Sequence, residues 1–141
     1  MKKSDFKKQG VDFDEFKELF DLDNIDTFRE LLQKMISKTN YYALIIEDLM
    51  QPDSISAMHE ANFIRFKHLD TLHSTYKKIM KLNRILLLYQ LNYKEDSFSK
   101  IAREFIVNWK KIKPDLEIII RDMLNTWSKN VIHKTEGGYF G

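Results

Sequence analysis

Four histidines and no cysteine limit the metal and nucleophilic chemistry open to this 141-residue chain. Three of the histidines, His59, His68 and His73, share one predicted helix. A helix points two ligands at one ion when they sit three or four residues apart, one turn along the same face. His68 and His73 are five apart, about 140° around the helix. His59 lies nearly opposite His68, so only Asp70 and His73 have workable spacing. The Glu-x-x-His pair of carboxylate-bridged di-iron bundles does not occur. His59-Glu60 begins a zinc-protease motif, but its second histidine would fall at Phe63. The histidines therefore read as surface or rim residues, with no metal site and no cofactor.

The acids Asp12, Asp14, Asp21, Asp23 and Asp26 invite a calcium-loop reading, which needs oxygen ligands at loop positions 1, 3, 5 and 12 and glycine at position 6. Started at Asp12, position 5 is Phe16; started at Asp21, it is Ile25; neither start has the glycine. The serines lie at predicted caps or helix faces, without a Gly-x-Ser-x-Gly turn to expose a nucleophile. Three of the four glycines, Gly137, Gly138 and Gly141, fall in the last five residues, which leaves no phosphate-cradling loop in the body. The expectation is a non-catalytic protein without a small-molecule substrate.

The basic residues are better organised. Residues 1–30 hold six bases and nine acids, whereas residues 31–141 hold 17 bases and 12 acids. Lys77, Lys81 and Arg84 follow one helical strip, with Lys78 beside it, and a second cluster holds Lys110, Lys111 and Lys113. If the helices carrying them form an antiparallel hairpin turning near Glu95, Lys81 comes level with Lys110 and Lys77 with Lys113. Such a patch, with Trp109 nearby, suits phosphate backbones or an acidic protein surface. Lysine is a point charge, so sequence-specific base reading is not implied.

These side chains are carried by elements with few interruptions. A short helix is expected over Asp12–Leu22, with Phe13, Phe16, Leu19 and Phe20 on one side, followed by an N-cap cluster at residues 23–26. The second helix, about 26–50, has the stripe Phe28, Leu32, Met35, Thr39, Tyr42, Ile46 and Leu49. Pro52 stops it and Ser54 caps the third, which meets no breaker before Asn92 and carries Ile55, Met58, Leu69, Leu72, Tyr76, Ile79 and Leu86. Ser97 caps the fourth, with Phe98, Ala102, Phe105, Trp109 and Ile112. Pro114 should break or kink it, since proline lacks the amide that bonds the carbonyl four residues back. The apolar phase nevertheless continues through Leu116, Ile119, Met123 and Trp127, and local chemistry favours a fresh helix at Pro114.

Two segments are apolar on every side, Ile85–Tyr89 and Leu116–Ile120. Either they sit at the bundle centre, or Ile85, Leu87, Leu88, Ile118 and Ile120 meet a partner. The sequence thus predicts an all-α antiparallel bundle of three long helices plus a short N-terminal one, with the last long helix broken or kinked at Pro114. Residues 1–134 would form one domain and 135–141 a flexible tail whose Tyr139 and Phe140 could dock in a groove. The longest apolar run is five residues, against roughly 20 for a membrane span. Neither a membrane segment nor a signal peptide is expected, and the location is expected to be cytoplasmic. The function expected is an interaction or scaffold protein, possibly an oligomer of itself; the alternative is an accessory subunit binding nucleic-acid backbone through the basic face.

Overall fold

A computed structural model describes residues 1–128. These form α1 (Lys3–Gln9), α2 (Phe13–Leu19), α3 (Phe28–Met50), α4 (Ile55–Leu91) and α5 (Phe98–Ser128), with no strand among the described residues. The long helices α3, α4 and α5 pack against one another as an antiparallel bundle. Asn83 donates to the Thr39 hydroxyl at 2.9 Å and Gln90 to the Gln33 carbonyl oxygen at 2.7 Å, so α4 runs back along α3. Lys78 faces Asp115 at 3.8 Å and Lys67 faces Asp122 at 3.7 Å, so α5 runs back along α4. No helix among the described residues is long and apolar enough to cross a membrane.

The N-terminal region differs from the single helix expected. Gly10, at φ 67°, ends α1 in the left-handed conformation that glycine adopts without a Cβ clash. Asp12 then starts α2 by accepting from the Asp14 amide at 2.9 Å. A 3-10 turn at Leu22–Asn24 follows. The Met1 amino group donates to the carbonyls of Leu22 and Ile25, each at 2.5 Å, which closes the segment on itself. An amphipathic α1 was hard to foresee because Phe6 is its only buried residue.

In α3 the cap is Thr27, whose hydroxyl accepts from the Glu30 amide at 3.1 Å. Its expected stripe is buried throughout, except that Tyr42 is half-buried against the core. In α5 the phase from Phe98 to Ile119 is likewise buried, and the helix runs through Pro114 without the fresh start that local chemistry favoured. The energetics explain this. An interior proline costs about 3 kcal/mol. Ile112, Leu116 and Ile119 are all buried, at about 1.5–3 kcal/mol each, and only a continuous helix keeps them in one phase. Ser97 does not reach forward as a cap; its hydroxyl donates to the Lys94 carbonyl at 3.0 Å within a 3-10 turn.

The irregular position lies elsewhere. His68 has φ −134° and ψ 29°, non-helical values inside α4. One residue off helical geometry turns and bends all that follows it, and the expected stripe fails on its N-terminal side and at Leu69 just after it, which is also exposed. Ile55 and Met58 are exposed, while His59, Ala61 and Ile64 are buried.

Candidate functional site: the basic residues, the apolar ends and an aromatic cleft

The hairpin of α4 and α5 has the register expected, with Lys78 against Asp115, yet the seven bases do not form one set of free charges. Lys110 meets Glu15 of α2 at 2.6 Å, and Lys113 meets Glu117 at 3.9 Å. Arg84 donates to the side-chain oxygen of Asn83 at 2.6 Å. Lys77, Lys81 and Lys111 are exposed. The cause is the N-terminal segment, which lies over α5. Phe16 stacks on Phe105 at 6.3 Å between ring centroids, and Phe20 reaches the same ring at 5.9 Å. Glu15 is thereby carried onto Lys110, and its hydrogen bond and charge, with Asp12 and Glu18 behind, hold that ammonium above the usual lysine range. Part of the charge asymmetry along the sequence is therefore used within the fold.

The all-round apolar segments are divided by burial. Leu86 and Ile119 are fully buried, and Ile85 is half-buried. Leu87, Ile118 and Ile120 are partly exposed, while Leu88 is 64% and Leu91 79% exposed. Near the α4–α5 turn, Ile85, Leu88, Tyr89 and Ile101 line a groove of about 420 Å³ edged by Lys100 and Glu104. Ile118 and Ile120 lie far along α5 from this groove, so the five predicted interface residues do not share one surface.

A second cleft, of about 460 Å³, opens between α2, α3 and α5. Its floor is Leu19, Tyr42, Trp109, Leu116, Ile120 and Leu124, and its rim holds Glu18, Lys38, Lys113, Glu117 and Arg121. Lys38 is the unusual member. Its ammonium lies 5.3 Å from the ring centres of Phe20 and Trp109 and 6.0 Å from Tyr42, in cation–π range of all three. It donates to the Leu19 carbonyl at 3.4 Å and has no carboxylate partner among the described residues. Burial, and then the like charge of Lys113, hold it below the usual lysine range. Tyr42, one turn after Lys38, is the one clue legible in the sequence. Phe20 and Trp109 come from other elements, so the box itself has no local signature.

His73 is exposed as expected, but His59 and His68 are not rim residues. His59 is buried at 1% exposure, with a ring nitrogen 3.4 Å from the Thr126 carbonyl. His68 is half-buried and hydrogen-bonded to Asp122, which Lys67 also approaches. Burial tends to raise the Asp122 carboxyl, but the His68 hydrogen bond and the Lys67 charge outweigh it and hold the group below its usual value. His73 lies in a shallow groove with Glu47, Arg65 and Tyr76. Among the described residues no three His, Asp or Glu side chains gather as a metal site. The expected tail at 135–141, with Tyr139 and Phe140, lies outside the described residues.

Comparison with known protein families, with curated proteins and with solved structures finds no match to this chain.

Proposed function

We propose that this protein is a non-catalytic interaction module that works through protein–protein contacts and associates with a second copy of itself through the α4–α5 turn. The observation that carries the reading is the outward exposure of Leu88 and Leu91 beside the Ile85–Tyr89–Ile101 groove. Scattered exposed leucines are ordinary on protein surfaces. Leucines gathered at one end, next to a concave apolar surface, are what a partner helix covers. Covering such surface yields about 25 cal/mol per Å² of apolar area. A cytoplasmic location belongs to the same proposal and is checked by cell fractionation.

Light scattering at low and high micromolar concentration tests the self-association. The mass should rise with concentration, and Leu88→Asp should return it to that of a monomer. A strict monomer at high micromolar concentration removes self-association from the reading. The nucleic-acid alternative draws less support, because Lys78, Lys110 and Lys113 already have carboxylates beside them. Filter binding across salt, with Lys77 and Lys81 reversed to glutamate, decides it.

A further inference from the structure

The cleft between α2, α3 and α5 has a property that the α4–α5 groove lacks: a cation set among aromatic rings without an anion to meet it. Lys38 touches the faces of Phe20, Tyr42 and Trp109, and its single hydrogen-bond acceptor is the neutral Leu19 carbonyl. Lys113 stands on the same rim and repels it. Glu18, Glu117 and Arg121 share the rim, but neither carboxylate forms an ion pair with Lys38. Glu117 pairs with Lys113 at 3.9 Å, which leaves Lys38 the cation without a carboxylate on this rim.

We propose that this cleft binds a small organic carboxylate with an apolar body, its carboxylate between Lys38 and Lys113 and its body against Trp109, Leu116 and Ile120. The volume of about 460 Å³ lies within the roughly 300–1,000 Å³ typical of small-molecule sites. The composition follows the same pattern, a mainly apolar lining with a few polar groups that fix orientation. A carboxylate there relieves the repulsion between the two lysines and forms charge-assisted hydrogen bonds that water supplies less well in an aromatic surround. The occupant is a ligand and no bond is made or broken. This site is separate from the self-association surface at the α4–α5 turn, so either can fail alone.

Decanoate and 4-phenylbutyrate are suitable probes, with 4-phenylbutyramide as the uncharged control. Binding is read as Trp109 fluorescence in the Trp127→Phe background, where Trp109 is the only indole, because the chain has two tryptophans. Both acids should saturate at one site per chain, and the amide should bind at least about tenfold more weakly, the scale of a lost charged hydrogen bond. Lys38→Met removes the charge while keeping most of the unbranched side chain and should also weaken both acids about tenfold. Ile120→Phe fills the floor without touching a charge or adding an indole and should abolish binding. Lys100→Met, in the other groove, should change nothing. Equal binding of acid and amide overturns the proposal, as does unaltered binding by both the Lys38 and Ile120 variants. Absence of saturable binding by either acid overturns it as well. So does a second copy seated in the cleft, seen as a concentration-dependent mass that Ile120→Phe lowers.

Discussion

The two ends of α5 are held by different physics. Toward the turn, and along α3, the contacts are aromatic and continuous. Phe28 meets Phe98 at 4.7 Å, Tyr42 meets Trp109 at 5.5 Å, and Phe105 stacks on Trp109 at 5.9 Å. At the far end, beyond the irregular His68, α4 is tied to α5 largely by polar groups. His68 and Lys67 hold Asp122, the Trp127 indole donates to Glu60 at 3.0 Å, and His59 faces the Thr126 carbonyl. Only Ala61 and Ile64 are buried apolar residues of α4 in that stretch. An apolar end resists changes of pH and salt, because burial of hydrocarbon does not depend on charge. A polar end is expected to respond to both and to open first.

The largest effect should come from breaking the aromatic end. Phe105→Ala removes a fully buried ring that joins α2 to the bundle and should cost about 3–5 kcal/mol, read by chemical denaturation. It should also release α2, so that hydrogen exchange of residues 13–19 rises.

Asp122→Ala should cost less, about 1 kcal/mol, because a charged hydrogen bond is discounted by partial exposure. The informative readout is its location. Exchange should rise in residues 55–68 and 122–128 and stay unchanged around Phe98 and Phe105. A uniform rise along α4 and α5 would mean that the two ends unfold as one unit.

Acidification should reproduce that local loss reversibly. The Asp122 carboxyl lies below its ordinary value in the folded chain, so the folded state binds this proton less readily than the unfolded state. Its contribution is then complete above the ordinary carboxylate range and fades as pH falls through the lowered value. Unfolding curves for Asp122→Asn and the parent should converge on that descent; curves that stay parallel would deny the linkage.

The smallest effect should follow from Lys110→Met. Lys110 is exposed in its pair with Glu15, and the aromatic contacts already seat α2, so the thermal midpoint should not move measurably. A clear drop would show that charge, and not the phenylalanines, holds the N-terminal segment.

Helical periodicity made much of this legible in advance. The stripe from Phe28 to Leu49 and that from Phe98 to Ile119 both follow a spacing of three and four residues, and both are buried, because each follows from one helix facing one core. The Ser54 cap was legible for the same local reason, since its hydroxyl and the Ala57 amide are three residues apart. The stripe that failed did so on either side of His68, at Ile55, Met58 and Leu69, and no proline or glycine marks the change of direction there.

The sequence by itself determined the helical class, the number of long helices, their antiparallel order and the apolar phase of α3 and α5. These depend on side chains within a few turns of one another. Tertiary structure alone decided that Glu15 meets Lys110, that His59 is buried, and that Phe20, Tyr42 and Trp109 surround Lys38. Those contacts join residues distant in the chain, and no local periodicity encodes which charge or ring will lie opposite another. The continuity of α5 through Pro114 lies between the two. The local rule opposed it, and the burial of Ile112, Leu116 and Ile119 against the bundle outweighed the missing hydrogen bond.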